Sequence, residues 1–95
     1  KIHQPHNKVL LIDDDPGFRT ITQSALTSAG FDVDEAVSGK EGLKKIKHKL
    51  PDLILLDANM PELDGYETCQ LLREEPALTD IPIIMATGMD DVVHP

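Results

Sequence analysis

Cysteine is almost missing from this sequence. Cys69 stands alone, so no internal disulfide can form, which suits a reducing compartment. Long apolar runs are missing too: stretches such as Leu53 to Leu56 fall far short of the roughly 20 residues that a membrane span needs. A basic start followed by an apolar segment is also lacking, so a secretory signal is not expected and the chain reads as cytoplasmic. Basic residues are scarce. Nine Lys plus Arg face seventeen Asp plus Glu, a net charge of −8. A surface of that sign repels nucleic acid and anionic lipid, which argues against direct nucleic-acid or membrane binding. No internal repeat or low-complexity segment occurs.

What remains is a chain of 95 residues, 40% apolar and 27% charged, the balance of one globular domain. Residues 1–7 are polar, contain Pro5 and carry no period, so they read as a flexible tail. His3 and His6 lie there without further metal ligands nearby. Residues 8–95 read as the domain itself.

From Lys8 onward two kinds of segment alternate. Val9-Leu10-Leu11-Ile12 has the continuous apolar character of a strand buried on both faces. Asp15 is placed to cap a helix whose first turn takes Pro16. Phe18, Ile21, Ala25 and Ala29 recur at helical spacing as its inner face, and Gly30 is a natural stop. Phe31 to Val37 alternates, with Asp32 and Asp34 on one side, and so predicts an edge strand. Ser38 and Glu41 have capping-box spacing for a second helix. Leu43, Ile46 and Leu50 are its expected inner face, and Lys44, Lys45, Lys47 and Lys49 its wet one. After Pro51-Asp52, Leu53 to Leu56 forms a third strand ending at Asp57. A loop from Ala58 to Gly65 precedes a third helix around Tyr66 to Glu74, with Cys69 and Leu72 facing in. Ile81 to Met85 is a fourth strand, with Thr87-Gly88 just past its end. The order βαβαβαβ predicts an α/β fold, a doubly wound parallel sheet with helices on both faces.

In such sheets ligands bind at the carboxyl ends of the strands. The first strand ends in Asp13-Asp14-Asp15, the third in Asp57, and Thr87 follows the fourth. Paired strands lie roughly 4.8 Å apart, so these acids converge if the first and third strands are neighbours. Carboxylates so close do not all stay ionised unless a cation sits among them. Hard oxygen donors at a hydrated site favour Mg²⁺. A metal, a further carboxylate and a hydroxyl together suggest phosphoryl transfer onto an Asp.

With these residues in hand, the sequence resembles the receiver domain of two-component response regulators. The resemblance is carried by Val9 to Asp15, Pro51 to Asp57, Met60-Pro61-Glu62-Leu63-Asp64-Gly65-Tyr66-Glu67, and Ile81 to Gly88. Four ordered blocks covering nearly all of 8–88 make the match specific. It implies a flavodoxin-like receiver fold with Asp57 as phosphoacceptor. It also implies that Asp14 holds Mg²⁺ directly, Asp13 through water, Asp57 as a further ligand, and Asn59 through its backbone carbonyl. Thr87 matches the switch hydroxyl that turns toward the phosphoryl group. The side chains at Asn59 and Met89 influence phosphate lifetime in that family, and Met60-Pro61 and Asp64-Gly65 shape the loop. The implied partner is a histidine kinase or phosphotransfer protein that docks over the first helix, and an effector domain belongs on a longer chain. Such a domain is a signalling switch rather than an enzyme with a separate substrate.

Two other readings bear comparison. A haloacid-dehalogenase-like phosphatase also uses Asp-x-Asp after its first strand, as in Asp13 and Asp15, but expects Thr or Val where this chain has Gly17. A pseudo-receiver would keep the fold as a docking module without phosphorylation; Asp13, Asp14, Asp57 and Thr87 argue against it. A complete receiver has five strands and five helices, and only seven residues follow Gly88. Most of a fourth helix, a fifth strand and a fifth helix would need roughly 30 more residues. The natural polypeptide is therefore expected to be longer, carrying the Lys and aromatic partners of the site. As it stands, the fourth strand would be a bare apolar edge open to pairing with a second chain.

Overall fold

The computed structural model describes residues 7–57 and 65–86. Four strands form one sheet: β1 (Lys8–Ile12), β2 (Asp32–Ala36), β3 (Leu53–Asp57) and β4 (Ile83–Ala86). Their order is β2-β1-β3-β4, and every pairing is parallel. The helices are α1 (Pro16–Ser28), α2 (Gly39–His48) and α3 (Gly65–Arg73), with a short 3₁₀ turn at Pro76–Leu78 that the sequence did not suggest.

The apolar runs go to the middle of the sheet because only there are both faces covered. Leu10, Ile12, Ile54 and Leu56 project to one face and pack with Ile46, Leu72 and Leu78 from the α2 and α3 side. Val9 and Leu11 alternate to the opposite face and are equally buried. The chain moves from β1 to β2 in one direction, then back across β1 to β3. With right-handed crossovers that reversal puts α1 on one face and α2 and α3 on the other. β2 lies at the edge as expected, with Asp32 and Asp34 exposed. β4 ends the order on the other side, and Ile84 is half exposed.

Local signals set the helix ends. One Asp15 carboxylate oxygen accepts from the N–H groups of Gly17 at 3.0 Å and Phe18 at 3.3 Å, which satisfies two otherwise unpaired donors. Gly30, at φ 99°, takes the left-handed backbone after α1 that other residues resist. Ser38 Oγ accepts from the Glu41 N–H at 3.1 Å, and Glu41 Oε1 accepts from the Val37 N–H at 2.7 Å. That is a capping box reaching one residue further back than the usual pattern. Asn7, grouped with the tail on sequence, accepts from the Asp32 N–H and donates to the Gly30 carbonyl.

Three sequence expectations need correction. The half-buried face of α1 is Arg19, Thr22, Gln23 and Leu26, while Phe18, Ile21, Ala25 and Ala29 are exposed. Both stripes have helical spacing, and the half-buried one carries Arg19, which bonds toward the sheet side. Leu50 is exposed as well, because α2 stops at His48 and Lys49 is already extended. Lys45, expected on the wet face, folds its stem back to bond Asp34 Oδ1 at 3.2 Å and the Glu35 carbonyl.

Candidate functional site

The site grows out of strand register. Ile12 of β1 pairs with Leu56 of β3, so the next residues, Asp13 just past β1 and Asp57 at the end of β3, lie side by side. β1 lies between β2 and β3, and the chain reverses direction here, the place where open parallel sheets leave a crevice. The tight passage from β1 into α1 keeps Asp14 in the same crevice. One carboxylate oxygen from each of Asp13, Asp14 and Asp57 lies within 4.8 Å of the other two.

Asp13 is only 2% exposed and is fixed at three points. Its N–H donates to the Ala36 carbonyl at 3.0 Å, and its Oδ1 accepts from the Asp15 N–H at 2.9 Å. Its own carbonyl accepts from Arg19 Nη1 at 2.8 Å. Arg19 in turn donates from Nε to Glu35 Oε1 at 3.0 Å.

Burial pushes the Asp13 carboxyl up from 3.8 to about 6. The Asp15 N–H opposes that rise, while the neighbouring Asp57 and Asp14 carboxylates add to it. Asp14 is raised as well, first by burial and then by Asp57 and Asp15. The cluster thus holds more negative charge than it can carry alone. A divalent cation relieves that repulsion, and an all-oxygen donor set suits a hard ion such as Mg²⁺.

The structure therefore brings together Asp13, Asp14 and Asp57, three of the sequence-derived site residues. Asn59, Thr87 and Met89 lie outside the described residues, as do Met60-Pro61 and Asp64. His48 is exposed, and Cys69 is a partly buried side chain against the core. Sequence reading assigned no part to Arg19, Glu35 or Lys45, nor to the fully buried Thr68. The one available signal is an arginine four residues after the helix cap, close to an acidic turn.

Comparison with known proteins extends this picture. Residues 9–94 match the family described as response regulator receiver domain. The probable transcriptional regulator ycf27 of Porphyridium aerugineum is 46% identical over 85 residues, covering 90% of this chain and 34% of that protein. Chemotaxis protein CheY4 of Vibrio cholerae superposes with a TM-score of 0.82 at 31% identity, over 93% of this chain and 76% of that one. Response regulator TrrA of Thermotoga maritima, solved in complex with Mg²⁺ and BeF, gives a TM-score of 0.81 at 31% identity, over 90% and 73%. The chain spans about a third of the length of the curated relatives it matches.

Proposed function

The chain belongs to the response regulator receiver domain family, and from that premise we propose that Asp57 accepts a phosphoryl group from a phosphohistidine donor. The observation that carries this reading is the convergence of the Asp13, Asp14 and Asp57 carboxylates within 4.8 Å at the end of a parallel sheet. Asp14, Asp13 and Asp57, with the backbone carbonyl of Asn59, would hold Mg²⁺. When bound, the ion offsets the carboxylates' mutual repulsion and the charge that develops on the phosphoryl oxygens.

The remaining chemistry belongs to the chain. An Asp57 carboxylate oxygen attacks phosphorus in line with the leaving nitrogen. The O–P bond forms as the P–N bond breaks, and the donor imidazole keeps the electron pair and takes a proton. Asp13, held by three hydrogen bonds, keeps its carboxylate aimed into the crevice without reorganising during transfer. The Thr87 hydroxyl, one residue past the end of β4, donates to a phosphoryl oxygen and reports the new charge to the rest of the domain. Phosphorylation then shifts a two-state equilibrium.

The donor is a histidine kinase or phosphotransfer protein docking over α1 and the acid site. Residues 8–95 form the receiver and 1–7 lead into it, with Asn7 bonded to Asp32 and Gly30, and the output lies in an effector domain on a longer chain. The length and transcriptional role of the ycf27 relative support that arrangement. With a net charge of −8, the receiver itself is not the nucleic-acid-binding part. It acts in the cytoplasm as a switch rather than as an enzyme. Among the described residues no helix is long and apolar enough to cross a membrane. The outer edge of β4, unpaired among the described residues, is the surface a second copy would use.

Intact-mass spectrometry tests the reading. Acetyl phosphate with Mg²⁺ should add one phosphoryl group, and EDTA or Asp57→Asn should abolish the gain. A folded wild-type chain that binds Mg²⁺ but takes up no phosphoryl group would favour the docking module without phosphorylation.

A further inference from the structure

Asp13 and Asp14 share one peptide group, and its oxygen is the carbonyl of Asp13. A peptide group is planar, so fixing that oxygen fixes the plane and limits the directions in which both flanking side chains leave the backbone. In this structure the oxygen is held by a side chain from outside the turn: Arg19 Nη1 donates to it at 2.8 Å. Arg19 is itself held, its Nε donating to Glu35 Oε1 at 3.0 Å on the neighbouring edge strand. A planar guanidinium engaged through two of its three nitrogens has little rotational freedom left. Its side chain is only 18% exposed, although it sits on a helix none of whose residues is fully buried.

The anchor extends one element further. The Glu35 main-chain carbonyl accepts from Lys45 Nζ of α2, which also pairs with Asp34 at 3.2 Å. Arg19 thus links the acid turn, the edge strand and, through Glu35, the second helix.

From this geometry we infer that Arg19 is the positioning residue of the metal site. It sets the Asp13–Asp14 peptide plane, and Glu35 acts by holding Arg19 in place. The inference rests on the reading of Asp13, Asp14 and Asp57 as the Mg²⁺ ligands. Arg19 bonds to a main-chain carbonyl and to Glu35, so it orients ligands rather than joining them. Partners of this outer kind typically alter metal affinity about 10–100-fold when removed.

The test is the Mg²⁺ dissociation constant of the full natural chain, read from amide NMR shifts during titration with Mg²⁺ alone. Arg19→Met, which keeps the apolar stem, should weaken binding about 10-fold. Arg19→Lys cannot reach both partners with one ammonium group, so it should recover only part of that loss. Glu35→Ala should weaken binding by a smaller factor. Combined with Arg19→Met it should cost nothing extra, because both changes cut the same link. Gln23→Ala, on the same face of α1, should bind like wild type and so exclude a general effect of loosening the helix.

Unchanged affinity in folded Arg19→Met overturns the inference, as does an additive double variant. Should Arg19→Met not fold, Glu35→Ala decides alone: the Glu35 side chain is 40% exposed, and a pair so exposed adds little stability. Asp14→Asn separates this inference from the site reading beneath it. Wild-type binding that survives Asp14→Asn, or no wild-type binding at all, defeats the metal-site reading. Binding lost in Asp14→Asn but unchanged in Arg19→Met defeats the role of Arg19 alone.

Discussion

Replacing Asp13 by Asn should make the metal-free protein more stable at neutral pH, although it alters the most buried residue of the site. Asn keeps an oxygen for the Asp15 N–H, so the 2.9 Å bond survives and only the charge is lost. The carboxyl of Asp13 is raised from 3.8 to about 6 by burial, with Asp57 and Asp14 adding repulsion. At about 1.4 kcal/mol per unit, keeping that charge costs the fold about 3 kcal/mol above the raised value. The direction with pH follows from proton binding. Between 3.8 and about 6 the folded chain holds more protons on Asp13 than the unfolded chain does. Stability therefore falls as pH rises through that window and levels off above it.

Urea unfolding in EDTA, for wild type and Asp13→Asn across that range, isolates the effect as a difference curve. The variant should gain on wild type as pH climbs and lead by about 3 kcal/mol at neutrality. Mg²⁺ at about 1,000 times the wild-type dissociation constant should reverse the ranking, because the bound ion then contributes about 4.1 kcal/mol to the protein that binds it. A difference curve that stays flat through the window, or a variant less stable at neutral pH without metal, would refute the reasoning.

Three further outcomes are expected. Mg²⁺ affinity should drop as pH falls below about 6, since a proton on Asp13 competes with the ion; calorimetric titration at several pH values would show a flat profile if this is wrong. Gly42→Ala should destabilise the protein, because the new Cβ would lie 2.5 Å from Ile12 Cδ1 and 3.0 Å from Cγ1 in a fully buried side chain. Overpacking of about 1–3 kcal/mol should outweigh the helix preference for Ala, and thermal unfolding at or above wild type would contradict it. Ser38→Ala removes the acceptor for the Glu41 N–H and should cost about 1 kcal/mol in urea unfolding, against no change if solvent caps α2 equally well.

Much of the fold could be read from residues whose effects are local or periodic. Val9 to Ile12 and Leu53 to Leu56 announce interior parallel strands because a strand covered on both faces takes a short continuous apolar run, and the polar breaks around each run keep it too short for a helix. Asp15 with Pro16, and Ser38 with Glu41, announce helix starts because the backbone donors there need those partners. The acidic cluster is legible for the same reason: two strands that pair in register must bring the residues at their carboxyl ends together.

What escaped the sequence was decided by contacts between distant residues. Helical periodicity offers both Phe18-Ile21-Ala25 and Arg19-Thr22-Gln23-Leu26 as a face of α1. The stripe that is half-buried carries the bond from Arg19 to a main-chain carbonyl, an acceptor every residue possesses and no pattern marks. Lys45 was read as solvated because four lysines share its helix, yet its stem is long enough to return to β2.

The most direct measurement is to phosphorylate the chain with acetyl phosphate and Mg²⁺, trap the acyl phosphate by reduction, and locate it by peptide mass spectrometry. A single modified residue, Asp57, is expected, with no signal when Mg²⁺ is chelated. Modification at Asp13, Asp14 or elsewhere, or a chain that binds Mg²⁺ and stays unmodified, would contradict the assignment of Asp57 as the acceptor.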